Sequence, residues 1–160
     1  MEIFQIIKRN DVKSGKNGKI TIVGGGLSGP VMAMYLSEKG YRVDIYERRP
    51  DMRKTNISAG RSINLAVSKR GITALEEIGV FHKISSKLIP MYGRIIHDID
   101  GSTRFLPYGR PDQYINSVSR SELNILLMTE AEKTDRIRIL FQHSCSGMDL
   151  ESGTVFITNE

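Results

Sequence analysis

The stretch Lys19–Arg48, KITIVGGGLSGPVMAMYLSEKGYRVDIYER, decides the fold of this chain. The short β-branched run Ile20–Val23 predicts a strand, and a glycine-rich turn follows it. A helical pattern then extends over about Leu27–Lys39, and a second predicted strand, Tyr41–Tyr46, ends at the acidic Glu47. Strand, glycine turn, helix, strand and acid in this order are typical of a dinucleotide-binding unit with a parallel sheet.

The glycines of the turn fall in a GxGxxG frame, and each has its own physical reason. Gly24 lets the backbone turn sharply out of the strand, Gly26 leaves room for a pyrophosphate, and Gly29 lets the helix pack closely on the strands. The helix N-terminus offers unpaired N–H groups to phosphates, and Pro30 fits its first turn. Glu47 would accept hydrogen bonds from the ribose hydroxyls of an adenosine. A glycine turn that binds nothing is the alternative, and the flanking elements argue against it.

Composition narrows the class of protein. The chain has 160 residues, 39% of them hydrophobic, which predicts one domain, and no apolar run approaches the roughly 18 residues that span a bilayer. Residues 1–19 show no signal peptide, and the single Cys145 excludes an internal disulfide, so we expect a cytoplasmic protein without a membrane segment. The net charge of +5 is scattered without a nucleic-acid motif, which favours anion binding and solvated faces over nucleic-acid binding.

Candidate metal ligands and nucleophiles are absent from the sequence pattern. The histidines His82, His97 and His143 are isolated, without cysteine or carboxylate partners at metal-ligand spacing, and each is more typical of an ordinary surface or core histidine. There is no nucleophile elbow and no GK[ST] phosphate loop. Any chemistry must therefore come from a bound cofactor.

The rest of the chain alternates helical and strand-like patterns. Asp100-Gly101 is a strong hairpin signal, and Ser119 with Glu122 forms a capping box that predicts a helix start. The remaining predicted elements are a strand or helical turn at Met1–Ile7, a flexible lead-in Asp11–Lys19, a loop Arg48–Gly60, a strand Arg61–Val67, a helix from Ser68 to Gly79, a helical patch Phe81–Leu88, hairpin strands Tyr92–Ile99 and Thr103–Leu106, a strand Tyr114–Val118, a helix to about Lys133, a strand Ile137–Phe141, and a hairpin Ser144–Leu150 with Thr154–Thr158.

Arg120 stands out because it lies in the first turn of a predicted helix, where a cation opposes the helix dipole. A nearby phosphate or other anion would relieve this arrangement. A salt bridge to a surface carboxylate is an equally open interpretation.

Several motifs taken together resemble the kynurenine 3-monooxygenases, which are single-component flavoprotein aromatic hydroxylases. The resemblance extends over about residues 19–141 and is carried by VGGGLSG, IYERR, GRSINLAVSKRG, IPMYGRIIHDIDG, LPYG, QYINSVSR and LNILLMTEAEK. It implies FAD and NADPH as cofactors and hydroxylation of L-kynurenine to 3-hydroxykynurenine with dioxygen, by way of a flavin hydroperoxide.

The resemblance also implies roles for individual residues. Arg94 and Tyr108 look like the family's substrate contacts, with the guanidinium of Arg94 taking the amino-acid carboxylate in a bidentate pair. For Tyr108, packing on the sheet is the alternative. The residues that look like FAD contacts are Gly24, Gly26, Ser28 and Gly29 at the pyrophosphate, Glu47, Arg48 and Arg49 at the ribose, Ala66 along the cofactor, Arg120, and Cys145 with its backbone towards the adenine.

The predicted fold is α/β, with a Rossmann-like FAD-binding unit and the start of an antiparallel sheet on the substrate side. The family's chains are much longer, so we expect residues 19–160 to be the N-terminal part of the FAD-binding domain, inactive alone and able to self-associate through uncovered edges. Residues 1–18 would be a lead-in or a short element. A non-catalytic nucleotide-binding remnant or interaction module is the alternative. A nicotinamide-dependent dehydrogenase half is disfavoured by the hairpin after Met91.

Overall fold

The computed structural model of the chain describes residues 3–7, 18–54 and 64–159. The helices in these ranges are α1 (Ser28–Glu38), α2 (Lys69–Glu77), α3 (Phe81–Ile84), which a 3-10 turn Ser85–Lys87 extends, and α4 (Arg120–Ala131). The strands are β1 (Ile3–Ile7), β2 (Lys19–Val23), β3 (Arg42–Glu47), β4 (Asn64–Val67), β5 (Ile89–Met91), β6 (Gly93–His97), β7 (Thr103–Pro107), β8 (Ile115–Ser119), β9 (Ile137–Phe141), β10 (His143–Asp149) and β11 (Thr154–Asn159).

The chain divides into two compact units. The first unit contains residues 1–59 and 124–160, and the second unit contains residues 60–123. In the parts of the chain that the structure describes, no helix has the length and apolar composition that crossing a bilayer requires.

A three-stranded parallel sheet forms the centre of the first unit, in the order β2-β3-β9. Its middle strand is buried from Val43 to Glu47, since it has a neighbour on each side and helix α1, whose Ala33 is fully buried, packs against it. The register places Glu47 of β3 beside Phe141 of β9. The carboxyl ends of all three strands therefore meet at one edge, directly after which the glycine turn begins.

A second sheet of the first unit is antiparallel, in the order β1-β11-β10. Its register shifts between Cys145 and Gly147, and Ile157 of β11 is fully buried. The predicted hairpin of this region is present, and the predicted short N-terminal element is a strand.

The second unit combines an antiparallel sheet, β4-β8-β5, with a separate two-stranded hairpin of β6 and β7. The hairpin turns where Asp100-Gly101 predicts it, with Gly101 at a φ of +84° and the amide of Asp98 bonded to the carbonyl oxygen of Ser102 at 3.0 Å. The buried residues of this unit include Val67, Leu75, Ile84 and Val118. The α/β fold class, with its parallel sheet at the glycine motif, is confirmed.

Two predicted helix caps are only partly formed. Ser68 occupies the N-cap of α2, but no side-chain hydrogen bond caps that helix. At the start of α4 the amide of Glu122 bonds to Ser119 Oγ at 3.4 Å, while the carboxylate of Glu122 pairs with Lys87 at 2.8 Å. Residues 11–17 of the predicted lead-in, residues 55–60 of the predicted loop Arg48–Gly60 and the first three residues of the predicted strand Arg61–Val67 lie outside the described residues, whereas Lys19 begins β2.

An ion-pair cluster ties the three parallel strands together around Asp44 of β3. The Asp44 carboxylate is 3% exposed and accepts two hydrogen bonds from Arg138 of β9, at 2.8 and 2.7 Å, while Lys19 Nζ of β2 lies 2.9 Å away. Burial alone would raise the pKa of Asp44. The hydrogen bonds from Arg138 and Lys19 outweigh burial and lower that pKa below its ordinary value.

We expect Asp44→Asn to lower the free energy of unfolding by about 2 kcal/mol at pH 7, because it leaves two cations beside a neutral amide. Since the folded-state pKa is lowered, the carboxylate stabilises the fold above the unfolded value of about 4, and this contribution is lost as the pH falls through the folded-state pKa. Urea unfolding of both proteins from pH 7 to pH 3 measures the difference, which should shrink with acid.

Asp98→Asn is the matched control, because Asp98 pairs with Arg104 at 3.4 Å and both side chains are exposed. We expect a change of less than about 0.5 kcal/mol for it. An equal loss in the two variants, or a difference between wild type and Asp44→Asn that does not depend on pH, would contradict the assignment of the stabilisation to Asp44.

Candidate nucleotide site

The glycine turn that follows β2 is held by tight backbone contacts. The amide of Gly24 donates to the carbonyl oxygen of Tyr46 at 2.8 Å, and Gly24 has a φ of +105°, which side chains rarely tolerate. A Cβ on Gly29 would lie only 2.2 Å from the Gly24 carbonyl oxygen, so the first turn of α1 packs directly on the turn. A Cβ on Gly26 would meet nothing within 4 Å. The turn is therefore closed towards α1 and open at Gly26.

Glu47, at the end of β3, is bonded to the glycine turn. Its carboxylate is 4% exposed overall, and its Oε2 accepts the amide of Gly25 at 2.8 Å. Its Oε1 accepts both the amide and the Nε of Arg49, at 2.9 and 2.8 Å, and Arg49 Nη2 lies 3.3 Å from Oε2. The carboxylate thus fixes the glycine turn on one side and the arginine on the other.

The charge of Glu47 is maintained by these contacts. Burial by itself raises the pKa of this carboxyl group, but the hydrogen bonds from the Arg49 side chain and from the amides of Arg49 and Gly25 lower it below its ordinary value. The same pair raises the pKa of the Arg49 guanidinium. Glu47 is accordingly a carboxylate, able to accept hydrogen bonds, across the neutral pH range.

A cavity of about 340 Å³ opens beside this carboxylate, within the size range of small-molecule pockets. The bond from the amide of Gln142 to the carbonyl oxygen of Arg49, at 3.3 Å, joins two of its walls. The lining residues come from the ends of β2 and β3 and from the start of β10: Val23, Gly24, Tyr46, Glu47, Arg48, Arg49, His143, Ser144 and Cys145.

The structure brings together many of the residues that the sequence nominates for the nucleotide. Gly24, Glu47, Arg48, Arg49 and Cys145 line one cavity. The other nominated residues of the first unit lie on the adjoining turn, where Gly26 is open, Gly29 is buried and Ser28 is the exposed first residue of α1.

Four residues of the cavity wall were not among those nominated from the sequence: Val23, Tyr46, His143 and Ser144. His143 was interpreted as an isolated histidine, yet it lines the cavity beside Ser144, with its Nδ1 2.6 Å from the carbonyl oxygen of Phe141. Its ring lies 5.8 Å from the ring of Tyr46. The signal that could have found it is its position directly after β9, because residues after the carboxyl ends of parallel strands line the ligand crevice.

The remaining nominated residues belong to the second unit. Arg94 lies on β6 opposite Leu106, and the amide of Tyr108 bonds to the carbonyl oxygen of Tyr92 at 2.9 Å. Because side chains alternate along a strand, Arg94 and Tyr108 share one face of the hairpin. Both are exposed, and the ring of Tyr92, on that same face, lies tilted by 53° against the ring of Tyr114, with 5.4 Å between ring centroids.

Ala66 and Arg120 are the other two nominated residues of the second unit, and both are exposed. Ala66 lies on β4 opposite Ser117, and Arg120 is the first residue of α4. Within residues 18–54 and 64–159, no cluster of histidine, cysteine and carboxylate side chains could hold a metal ion.

This chain is similar to a known domain family and to several known proteins. The family described as an NAD(P)-binding Rossmann-like domain matches residues 22–60. Kynurenine 3-monooxygenase from Myxococcus xanthus is 41% identical over 150 residues, which is 93% of this chain and 32% of that protein. The corresponding enzyme from Cytophaga hutchinsonii is 47% identical over 130 residues, 80% of this chain and 29% of its own.

This chain resembles the kynurenine 3-monooxygenases. It spans about a third of the length of these curated relatives. Among solved structures, the flavin-dependent monooxygenase PieE, in complex with FAD and substrate, aligns with a TM-score of 0.67 at 16% identity, over 88% of this chain and 29% of its own. That likeness supports the shared Rossmann-like fold, and the family resemblance predicted from the sequence motifs is confirmed.

Gly29 is closely packed and Gly26 is open, so an alanine at each position tests how the turn is packed. Gly29→Ala places a Cβ against the Gly24 carbonyl oxygen, so we expect it to lower the free energy of unfolding by at least about 2 kcal/mol. Gly26→Ala should change it by less than about 0.5 kcal/mol, because its Cβ meets open space. Urea unfolding followed by circular dichroism measures both, and equal losses would mean that the turn is not packed as described.

Proposed function

We propose that this chain is part of an FAD-dependent aromatic hydroxylase that uses NADPH and dioxygen to convert L-kynurenine to 3-hydroxykynurenine. The observation that carries the proposal is the 41% identity to a kynurenine 3-monooxygenase over 93% of the chain. The nucleotide site of the first unit supports it, because it offers the groups that an adenine dinucleotide requires.

The glycine turn would hold the pyrophosphate of FAD. Gly26 has open space where any other residue would place a side chain, and α1 begins at Ser28 without a side-chain cap and without an acidic residue in its first turn. Its N-terminal N–H groups and its positive dipole end are therefore free of competing carboxylates from its own first turn. The fit to a phosphate rests on these features of the backbone.

Glu47 would accept hydrogen bonds from the adenosine ribose, whose hydroxyl groups would compete with Arg49 for the carboxylate. A carboxylate offers about four acceptor sites, and Glu47 already accepts hydrogen bonds from the Gly25 amide and from the backbone and guanidinium of Arg49. A ribose hydroxyl would replace a guanidinium bond, and the 53% exposure of the Arg49 side chain leaves that group room to move. The cavity beside Glu47, with His143 and Cys145 in its wall, would take the adenine.

Arg94 and Tyr108 would hold the substrate. A guanidinium pairs with an amino-acid carboxylate through two hydrogen bonds, and a phenol on the same hairpin face adds a third. When bound, the flavin would supply dioxygen activation and transfer of one oxygen atom to the ring. The contribution of the residues described here is to bind and orient the cofactor and the substrate.

Binding of FAD to the 160-residue chain is the first test. We expect the purified chain, incubated with FAD and desalted, to retain a visible flavin absorption band, because the residues proposed to contact the adenosine and the pyrophosphate lie within its first unit. Gly26→Val should reduce FAD affinity at least 10-fold, since its side chain would occupy the phosphate space, while the thermal unfolding midpoint stays close to that of wild type.

The flavin measurements distinguish FAD binding through the glycine turn from FAD binding that depends on other segments. A colourless wild-type chain would contradict FAD binding by this chain and assign binding to segments that it lacks. Retained flavin without kynurenine-dependent NADPH oxidation is the result that we expect of a chain spanning a third of its relatives. Retained flavin in Gly26→Val as well would remove the glycine turn from the site.

Arg94 can be tested in a protein that contains this sequence together with the remaining length of its relatives. We expect Arg94→Ala to raise the KM for L-kynurenine at least 10-fold and the KM for NADPH less than 2-fold, because it removes a bidentate carboxylate contact. Steady-state kinetics with each substrate varied in turn measure both constants.

Arg104→Ala is the matched control, since Arg104 lies on the same hairpin face but nearer the turn and pairs with the exposed Asp98. Its KM values should stay close to those of the parent protein. A similar rise in the KM for L-kynurenine in both variants would indicate a general charge effect and remove Arg94 from the substrate site.

A further inference from the structure

Asn124 is a buried polar residue of α4 that the nucleotide site as described so far does not use. It is 5% exposed, and its side-chain amide faces the glycine turn. With the amide nitrogen directed at the turn, Nδ2 donates to the carbonyl oxygens of Gly25 and Gly26 at 3.2 and 3.3 Å. The opposite orientation would set the amide oxygen against these two carbonyl oxygens and leave Nδ2 only Met52 Sδ at 3.5 Å, so hydrogen bonding decides the orientation.

The two bonds from Asn124 complete the set of contacts around Gly25. The amide of Gly25 donates to Glu47 Oε2 at 2.8 Å, and its carbonyl oxygen accepts from Asn124. A Cβ on Gly25 would lie 3.1 Å from Glu47 Cβ and 3.2 Å from Met128 Cε, so side chains close this position as well. Gly25 is therefore fixed by β3 through Glu47 and by α4 through Asn124.

The carbonyl of Gly26 is the second group that Asn124 fixes, and Gly26 is the open position of the turn. A peptide plane that is held at its carbonyl oxygen cannot rotate freely, so the N–H of the next residue, Leu27, keeps its direction at the start of α1. N–H groups that already point at the anion need no ordering when it binds, which favours affinity.

We propose that Asn124 is a positioning residue for the pyrophosphate-binding turn: from α4 it fixes the carbonyl groups of Gly25 and Gly26, so that the backbone N–H groups of the turn stand ready for the diphosphate of a nucleotide. This inference rests on the proposed nucleotide-binding function of the first unit. It adds a residue that acts through the backbone of the turn and does not itself touch the ligand.

The test compares Asn124→Leu, which keeps the number and branching of the side-chain heavy atoms and removes both donors, with Leu127→Ala as a control. Leu127 is 1% exposed on the same helix, so Leu127→Ala loosens the packing of α4 without removing a bond to the turn. FAD affinity is measured by titration of flavin fluorescence, and the thermal unfolding midpoint is measured for each variant. We expect Asn124→Leu to weaken FAD binding about 10-fold and Leu127→Ala to weaken it less than 2-fold, at a comparable loss of thermal stability.

Amide hydrogen exchange in the absence of nucleotide supplies a second measurement. The ratio of the exchange rate of the Gly25 amide to that of the Ile45 amide, in the middle strand of the sheet, separates opening of the turn from opening of the whole unit. We expect this ratio to rise at least 5-fold in Asn124→Leu and to stay unchanged in Leu127→Ala, where both rates rise together.

Each result decides the proposal. Unchanged FAD affinity in a folded Asn124→Leu protein would overturn it, as would an equal loss of affinity in Leu127→Ala. If the wild-type chain binds no FAD, the proposed function fails for this chain, and the exchange ratio alone decides whether Asn124 holds the turn: an unchanged ratio overturns the assignment and a raised ratio supports it. If Asn124→Leu does not fold, Asn124→Asp, which keeps the size but directs a carboxylate at two carbonyl oxygens, takes its place in both measurements.

Discussion

The hydrogen bond from the Gly25 amide to the Glu47 carboxylate is the interaction on which the candidate site depends. It joins the turn after β2 to the end of β3, two points that are neighbours only because the strands pair in parallel with Val23 beside Tyr46. The lowered pKa of Glu47 keeps the acceptor charged, and the buried Asp44 cluster on the same strand keeps the three strands in register. The shape of the turn therefore depends on the sheet behind it.

The same bond limits how Glu47 can act on a ligand. A carboxylate that already holds Gly25 and Arg49 has few acceptor positions left, so any ligand of Glu47 would compete with a group of the protein itself. Arg49 is the partner that can yield, because it is half exposed, whereas Gly25 is enclosed by Glu47 and Met128. The proposed nucleotide site would thus combine a rigid turn with an arginine that has room to move.

The local elements could be predicted from the sequence because their signals are local. The glycine frame, the helix after it and the Asp100-Gly101 turn each depend on residues within a few positions of one another, and all three are present. The pairing of β9 with β3 could not be predicted, since parallel pairing across most of the chain leaves no periodic signal. His143 directly follows the predicted strand Ile137–Phe141, but the sequence does not show that this strand joins the parallel sheet, and so His143 was not placed at the cavity.

Asn124 was missed for a different reason, which bears on how such sites are recognised. In the sequence it is one of several polar residues of α4, a pattern that also fits an ordinary buried amide. Only the fold brings its two donors to carbonyl groups that no strand or helix ladder satisfies. A buried carbonyl group needs a hydrogen-bond donor. The backbone of the turn therefore creates the need for an amide side chain at this position of α4. The GxGxxG frame therefore specifies the shape of the turn, whereas the side chains of Glu47 and Asn124 hold that shape in place.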